Sequence, residues 1–154
     1  MARVHAAAAP NPTRVRALVR EMLRCEAERT HYPAVATILL VDDDTKFLRP
    51  LRLLLEAEGY RVLTATDGEV ATAITVLQRP NLIVTDWMMP RVDGIAFCRR
   101  LKADPVTDGI PVVMLSAAEP PILGEPLWST LLRKPVSIVR ILEVISCLLG
   151  EPDA

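Results

Sequence analysis

Short apolar runs alternate with helical stretches along most of the chain. Five runs are rich in branched apolar residues, and their near-continuous apolarity is typical of strands buried on both faces of a parallel sheet. The predicted strands are Thr37–Val41, Arg61–Ala65, Leu82–Thr85, Val112–Leu115 and a short strand at Leu131–Arg133. We therefore expect helices to cover both faces of this sheet.

Helical periodicity fills the intervals between these strands. The predicted helices span about residues 46–58, 69–78, 94–103 and 137–149. Asp93 and Ser137 are predicted N-caps, and Gly59 and Gly150 are predicted to end the first and last of these helices. Strands that alternate with helices in this way predict a single doubly wound α/β domain over residues 36–150.

Residues 1–35 are interpreted as an N-terminal extension, and residues 151–154 as a tail. Residues 1–12 are rich in Ala and Pro, whereas apolar side chains fall at helical spacing between Thr13 and about Glu28. This pattern predicts an amphipathic helix over residues 13–28. Its three interpretations are a dimerisation or docking helix, a helix packed on its own domain, and a frayed leader.

The composition excludes several classes of protein. Hydrophobic residues make up 51% of the chain, which is enough to form a buried core, and no apolar run reaches the roughly 18 residues of a membrane span. The net charge of −1 gives no reason to expect direct nucleic-acid binding. Three widely spaced cysteines without a CxxC pair indicate neither a disulfide framework nor a metal site. We expect a cytoplasmic protein.

Four of the five predicted strands are followed by residues that can bind metal or phosphate. These residues are Asp42, Asp43 and Asp44 after the first strand, Asp86 after the third, Ser116 after the fourth and Lys134 after the fifth. Ligands bind beyond the carboxyl ends of the strands in such a sheet, so we expect these side chains to converge. Each type alone is more often a turn, a cap or a surface residue, but their coincidence at one edge favours a site.

The chemistry of these residue types suits phosphoryl transfer. Neighbouring carboxylates repel each other unless a cation joins them, and oxygen ligands with open positions suit Mg²⁺. A lysine can bind a phosphoryl oxygen, a serine hydroxyl can donate to another, and an aspartate can attack phosphorus to form an acyl phosphate.

On these residues, the sequence resembles the receiver domain of two-component response regulators. The resemblance covers about residues 36–150 and is most specific from Asp86 to Gly94. The matching segments are 38–44 (ILLVDDD), 59–62 (GYRV), Ala65, 67–68 (DG), 86–94 (DWMMPRVDG), 110–117 (IPVVMLSA) and 134–135 (KP). It implies a flavodoxin-like receiver fold with five parallel strands in the order 2-1-3-4-5.

The resemblance also implies roles for individual residues. Asp86 is expected to be the phosphoacceptor, Ser116 the switch hydroxyl and Lys134 the phosphate-binding lysine. Asp43 is expected to bind Mg²⁺ directly and Asp42 through water, with Asp86 and the backbone carbonyl of Met88 as further ligands. The phosphoryl donor would be a histidine kinase or a phosphotransfer protein. Because the sequence ends at Ala154, just past the last predicted helix, we expect output through protein–protein contacts with a downstream protein, made by this domain alone or together with the N-terminal helix. A homodimer stays an open alternative.

The sequence departs from the family pattern between Ala117 and Thr130. Pro120, Pro121, Pro126 and Gly124 lie where the family has its fourth helix, so we expect that helix to be irregular or shortened. Leu131 replaces an aromatic residue that is common in the family. The two positions that help to orient hydrolytic water hold Met88 and Ala118, which predicts slow self-dephosphorylation.

Two other functions are weighed against a phosphoacceptor. A phosphorylation-independent interaction module with the receiver fold is favoured by the altered 117–130 segment and opposed by the complete set of site residues. An aspartate-nucleophile phosphatase of the haloacid dehalogenase kind would also use strand-end aspartates. Such a phosphatase requires a threonine four residues after the first aspartate, where this chain has Lys46.

Overall fold

The computed structural model of the chain describes residues 35–119 and 124–151, in which five strands alternate with four helices. The strands are β1 (Thr37–Val41), β2 (Arg61–Ala65), β3 (Leu82–Asp86), β4 (Val112–Ser116) and β5 (Thr130–Arg133). The helices are α1 (Thr45–Ala57), α2 (Gly68–Gln78), α3 (Gly94–Ala103) and α4 (Ile138–Leu148). Every element agrees with its predicted bounds to within one residue at either end. The predicted helix over residues 13–28 and most of the predicted tail lie outside the described residues.

All five strands are parallel and form one sheet in the order β2-β1-β3-β4-β5. The predicted doubly wound sheet and its strand order are therefore confirmed. None of the helices in residues 35–119 and 124–151 is long and apolar enough to cross a bilayer.

The apolar core is divided between the two faces of the sheet. One face packs alternate residues of the central strands, such as Ile38 and Leu40, against α1 and α4. The other face packs the intervening residues, such as Leu39 and Ile83, against α2 and α3. Because both faces of β1, β3 and β4 are buried, these strands need apolar residues at nearly every position.

Side-chain caps fix where the four helices begin. The carboxylates of Asp44, Asp67 and Asp93 accept hydrogen bonds from backbone N–H groups in the first turns of α1, α2 and α3. The hydroxyl of Ser137 does the same for α4, as predicted. The caps of α1 and α3 lie three and seven residues after the site strands β1 and β3, so they also fix the chain direction beside the site.

The connection between β4 and β5 differs from the other crossovers. The structure describes residues 117–119 and 124–129 of this connection, and these residues form bends and contain no helix. Leu127 and Trp128 pack against the same apolar cluster as α2 and α3. Ser129 ties the end of the connection to β4, since its N–H donates to the carbonyl of Val112 at 2.8 Å. The sequence predicted that the helix usually found between the fourth and fifth strands of the family would be irregular or shortened here, and this path agrees with that prediction.

Candidate functional site

The carboxyl ends of the strands meet at one edge of the sheet, where the predicted site residues lie. Hydrogen bonds continue the sheet just past the strands: the N–H of Asp42 donates to the carbonyl of Ala65 at 3.1 Å. On the other side, the N–H of Lys134 donates to the carbonyl of Ser116 at 2.8 Å. The backbones of the site residues are thus held by the sheet itself.

Three carboxylates form a cluster of oxygen atoms at this edge. Asp42, Asp43 and Asp86 each offer one oxygen, and these oxygens lie within 4.8 Å of one another. Asp42 and Asp86 are buried, whereas Asp43 is exposed. A set of hard oxygen donors with one side open to solvent is suited to Mg²⁺, which retains water among its ligands. The residues present therefore fit the predicted ion.

Lys134 directly follows the edge strand β5, and its side chain extends to the carboxylate cluster. Its Nζ lies 3.2 Å from Oδ2 of Asp42 and 3.2 Å from Oδ1 of Asp86. The ammonium also lies 4.9 Å from the centroid of the Phe47 ring on α1. One cation thus contacts two buried carboxylates and an aromatic face, and these contacts fix its position over the site.

The charges in this cluster are not balanced by the protein alone. Burial raises the pKa of Asp86 above its usual range, and Asp43 adds to the rise while Lys134 opposes it. Burial also raises the pKa of Asp42. Burial opposes the charged form of Lys134, but the attraction of Asp42 and Asp86 outweighs it and raises the pKa of the amine. Additional positive charge would therefore be bound favourably here.

Ser116 ends β4 at the same edge, but its hydroxyl is engaged with the following turn. The hydroxyl oxygen accepts from the N–H of Ala118 at 3.1 Å and donates to the carbonyl of Ala118. Ser116 therefore caps the turn that begins the β4–β5 connection. The predicted switch hydroxyl is directly linked to the segment that departs from the family pattern.

The loop between β3 and α3 passes close to Asp86. Gly94, at the start of α3, donates its N–H to the carbonyl of Trp87 at 2.8 Å. A Cβ at Gly94 would lie 2.3 Å from the carbonyl oxygen of Asp86, so only glycine fits there. Met88, predicted to offer its backbone carbonyl, lies in this loop with an exposed side chain.

Sequence reasoning identified Asp42, Asp43, Asp86 and Lys134, which the structure brings together. It missed the contact between Lys134 and Phe47, because a ring on α1 shows no pattern that links it to a lysine 87 positions later. It also missed the tight packing at Gly94. The signal available there was a glycine in the first turn of a helix, where glycine is a poor helix former.

Known proteins share this arrangement of elements and residues. The family model of the response regulator receiver domain matches residues 38–146. The response regulator PleD of Caulobacter vibrioides is 46% identical over 84 residues, which are 54% of this chain and 18% of PleD. RpaA of Synechocystis, named a DNA-binding dual master transcriptional regulator, is 37% identical over 120 residues, covering 75% of this chain and 50% of RpaA.

A solved structure shows the same fold. The signal receiver domain of a signal transduction histidine kinase from Syntrophus aciditrophicus superposes with a TM-score of 0.66 at 31% identity, covering 75% of this chain and 91% of that one. This chain spans half or less of the length of the two curated relatives described above. The family match covers most of the chain and includes every residue of the site, so the chain belongs to the response regulator receiver domain family.

Proposed function

We propose that Asp86 accepts a phosphoryl group from a histidine kinase or a phosphotransfer protein in a Mg²⁺-dependent reaction. The observation that supports this most directly is the position of Lys134, whose Nζ lies 3.2 Å from the carboxylates of both Asp86 and Asp42. A cation held there can contact a phosphoryl oxygen once one is attached to Asp86. Since this domain type is a signalling module, the product is a modified protein and not a released metabolite.

The transfer is a displacement at phosphorus. A carboxylate oxygen of Asp86 forms the new O–P bond while the P–N bond of the donor phosphohistidine breaks, and the imidazole leaves with its electron pair and takes up a proton. Lys134 neutralises charge on the phosphoryl oxygens during this exchange. Mg²⁺, held by Asp42, Asp43, Asp86 and the carbonyl of Met88, would supply further charge neutralisation on those oxygens.

The output is proposed to be protein–protein contact that changes when Asp86 is phosphorylated. Ser116 would then donate its hydroxyl to the phosphoryl group, which requires it to give up its donation to the carbonyl of Ala118. The DNA binding named for RpaA belongs to that relative, of which this chain spans 50%, and is not carried over.

Labelling with acetyl phosphate and Mg²⁺ tests the phosphoacceptor. We expect the chain to gain one phosphoryl group, and Asp86→Asn to lose incorporation entirely because the variant lacks the carboxylate proposed as the acceptor. Asp108→Asn is the matched control, since Asp108 is exposed and lies before the amino end of β4, away from the site. Equal labelling of wild type and Asp86→Asn would contradict the proposal.

A phosphorylation-independent interaction module is the second candidate. The observation in its favour is the connection between β4 and β5, whose described residues contain no helix. This candidate would be supported if the folded wild-type chain incorporated no phosphoryl group from acetyl phosphate at saturating Mg²⁺.

We further propose that phosphorylated Asp86 loses its phosphoryl group slowly. The side chain of Met88 is apolar and 65% exposed, and Ala118 ends in a methyl group, so neither can orient an attacking water. Decay of the phosphorylated chain, followed by intact mass after removal of the donor, should therefore take far longer than seconds. Met88→Glu should shorten this lifetime and Met88→Leu should not.

A further inference from the structure

The turn between β2 and α2 contacts the loop that follows Asp86. The N–H of Gly68, the first residue of α2, donates to the carbonyl of Val92 at 3.2 Å. The next two N–H groups of the helix donate to the carboxylate of Asp67, each at 2.9 Å. A carbonyl from the β3–α3 loop therefore completes the cap of α2, where the helix dipole favours a partial negative charge.

The absence of a side chain at Gly68 allows this contact. A Cβ at Gly68 would lie 2.5 Å from the carbonyl oxygen of Val92, 2.7 Å from its Cγ1 and 2.9 Å from its Cβ. The backbone of Gly68 is helical, so the requirement for glycine comes from space and not from an unusual φ. Any side chain there would displace the loop, because a backbone carbonyl cannot rotate away as a flexible side chain can.

Two glycines thus fix the β3–α3 loop at separate points. Gly94 packs against the carbonyl of Asp86 at one point, and Gly68 packs against Val92 at the other. Val92 is itself buried, and the loop passes through the left-handed region at Arg91, with φ of 66°. Between these points lies Met88, the residue expected to offer a backbone carbonyl to Mg²⁺.

We propose that Gly68 is a positioning residue for the metal site, which it serves by holding Val92 and thereby the path of the loop that carries Met88. This inference rests on the proposed function, because it assumes that the carbonyl of Met88 binds the ion. The proposal requires no direct contact of Asp67 or Gly68 with the carboxylate cluster. They act through the loop, as outer-shell partners of metal ligands commonly do.

The test is the Mg²⁺ affinity of Gly68→Ala in the full chain, measured by calorimetric titration well below the melting temperature. We expect the Mg²⁺ dissociation constant to rise about tenfold, the usual scale for loss of an outer-shell partner. Gly109→Ala is the matched control, because a Cβ at Gly109 meets nothing within 4 Å. At saturating Mg²⁺, the maximal rate of acetyl phosphate labelling should be retained in Gly68→Ala, since Asp86 and Lys134 are unchanged.

An unchanged dissociation constant in folded Gly68→Ala, even with a lower melting temperature, would overturn the inference, because Gly68 would then only stabilise the fold. If Gly68→Ala does not fold, Val92→Gly provides the test, since it loosens the same contact while leaving α2 intact. We expect weaker Mg²⁺ binding in Val92→Gly, and unchanged binding would overturn the inference. Asp43→Asn separates the two proposals: if wild type binds no Mg²⁺ that depends on Asp43, the proposed metal site itself is wrong.

Discussion

The carboxylate cluster is fixed by the ends of paired strands, whereas residues 117–119 and 124–129 of the β4–β5 connection are held by side-chain packing and a few hydrogen bonds. Asp42 and Lys134 continue the hydrogen bonding of the sheet, so their backbones are positioned by the fold. In the connection, Leu127 and Trp128 are partly buried against the core, and Ser129 is tied to Val112. The residues of a receiver site can therefore be brought together while part of the neighbouring β4–β5 connection departs from the family pattern.

We therefore expect changes in the carboxylate cluster to affect phosphorylation and changes in the β4–β5 connection to affect stability. The largest effect is expected from Lys134→Met, which keeps a long unbranched side chain but removes the ammonium that faces Asp42, Asp86 and Phe47. Acetyl phosphate labelling of Asp86 should slow about 100-fold, as is typical when one group that stabilises the transition state is lost. Lys46→Met, at an exposed position on α1, is the matched control. A rate that stays within a few-fold of wild type would show that Lys134 does not bind the phosphoryl group.

An intermediate effect is expected from Trp128→Ala in the connection. Because Trp128 is only partly buried, its loss should lower the free energy of unfolding by about 2 kcal/mol, less than for a fully buried tryptophan. Urea unfolding measures this change, with Leu77→Ala on the exposed face of α2 as a control that should be nearly neutral. The labelling rate of the folded variant should match wild type. A slower rate would show that the two regions are coupled.

The smallest effect concerns the charge of Asp86 without metal. Because its pKa is raised in the folded chain, the folded state binds more protons than the unfolded state between the ordinary value of 3.8 and the raised value. The ionised carboxylate therefore costs stability as the pH rises through that window. In EDTA at pH 7, Asp86→Asn should be more stable than wild type, by less than the change expected for Trp128→Ala.

The pH dependence of thermal unfolding of the same variant tests the direction of the pKa shift of Asp86. The stability difference between Asp86→Asn and wild type should shrink as the pH falls toward 4, because the wild-type carboxyl group then becomes protonated. A difference that grows at low pH would mean that Lys134 stabilises the carboxylate more than burial penalises it. Asp108→Asn again serves as the control for a change at an exposed aspartate.

Most of the fold was predictable from sequence because the central strands β1, β3 and β4 are buried on both faces. Such strands appear as nearly continuous apolar runs, and the first polar residue after each run marks the sheet edge, as Asp42 and Asp86 show. The strand order was not worked out from these runs. It came from the resemblance, since apolar runs do not specify which strands are neighbours.

Contacts between elements were harder to predict because they depend on tertiary packing. The engagement of Ser116 with Ala118 reflects a choice of side-chain rotamer, which residue spacing does not specify. Gly68 and Val92 are in contact although they lie in two turns 24 positions apart in the sequence. A glycine at the start of α2 is compatible with several explanations, and only the position of the facing carbonyl separates them.

The two tryptophans of the chain, Trp87 and Trp128, lie in the two regions compared above. Trp87 follows Asp86 directly, and Trp128 is part of the connection between β4 and β5. Replacing either one with phenylalanine leaves a single indole emitter in the other region. Fluorescence from the two single-tryptophan variants can therefore measure the rate of conformational change beside Asp86 and in the connection separately, without an attached dye.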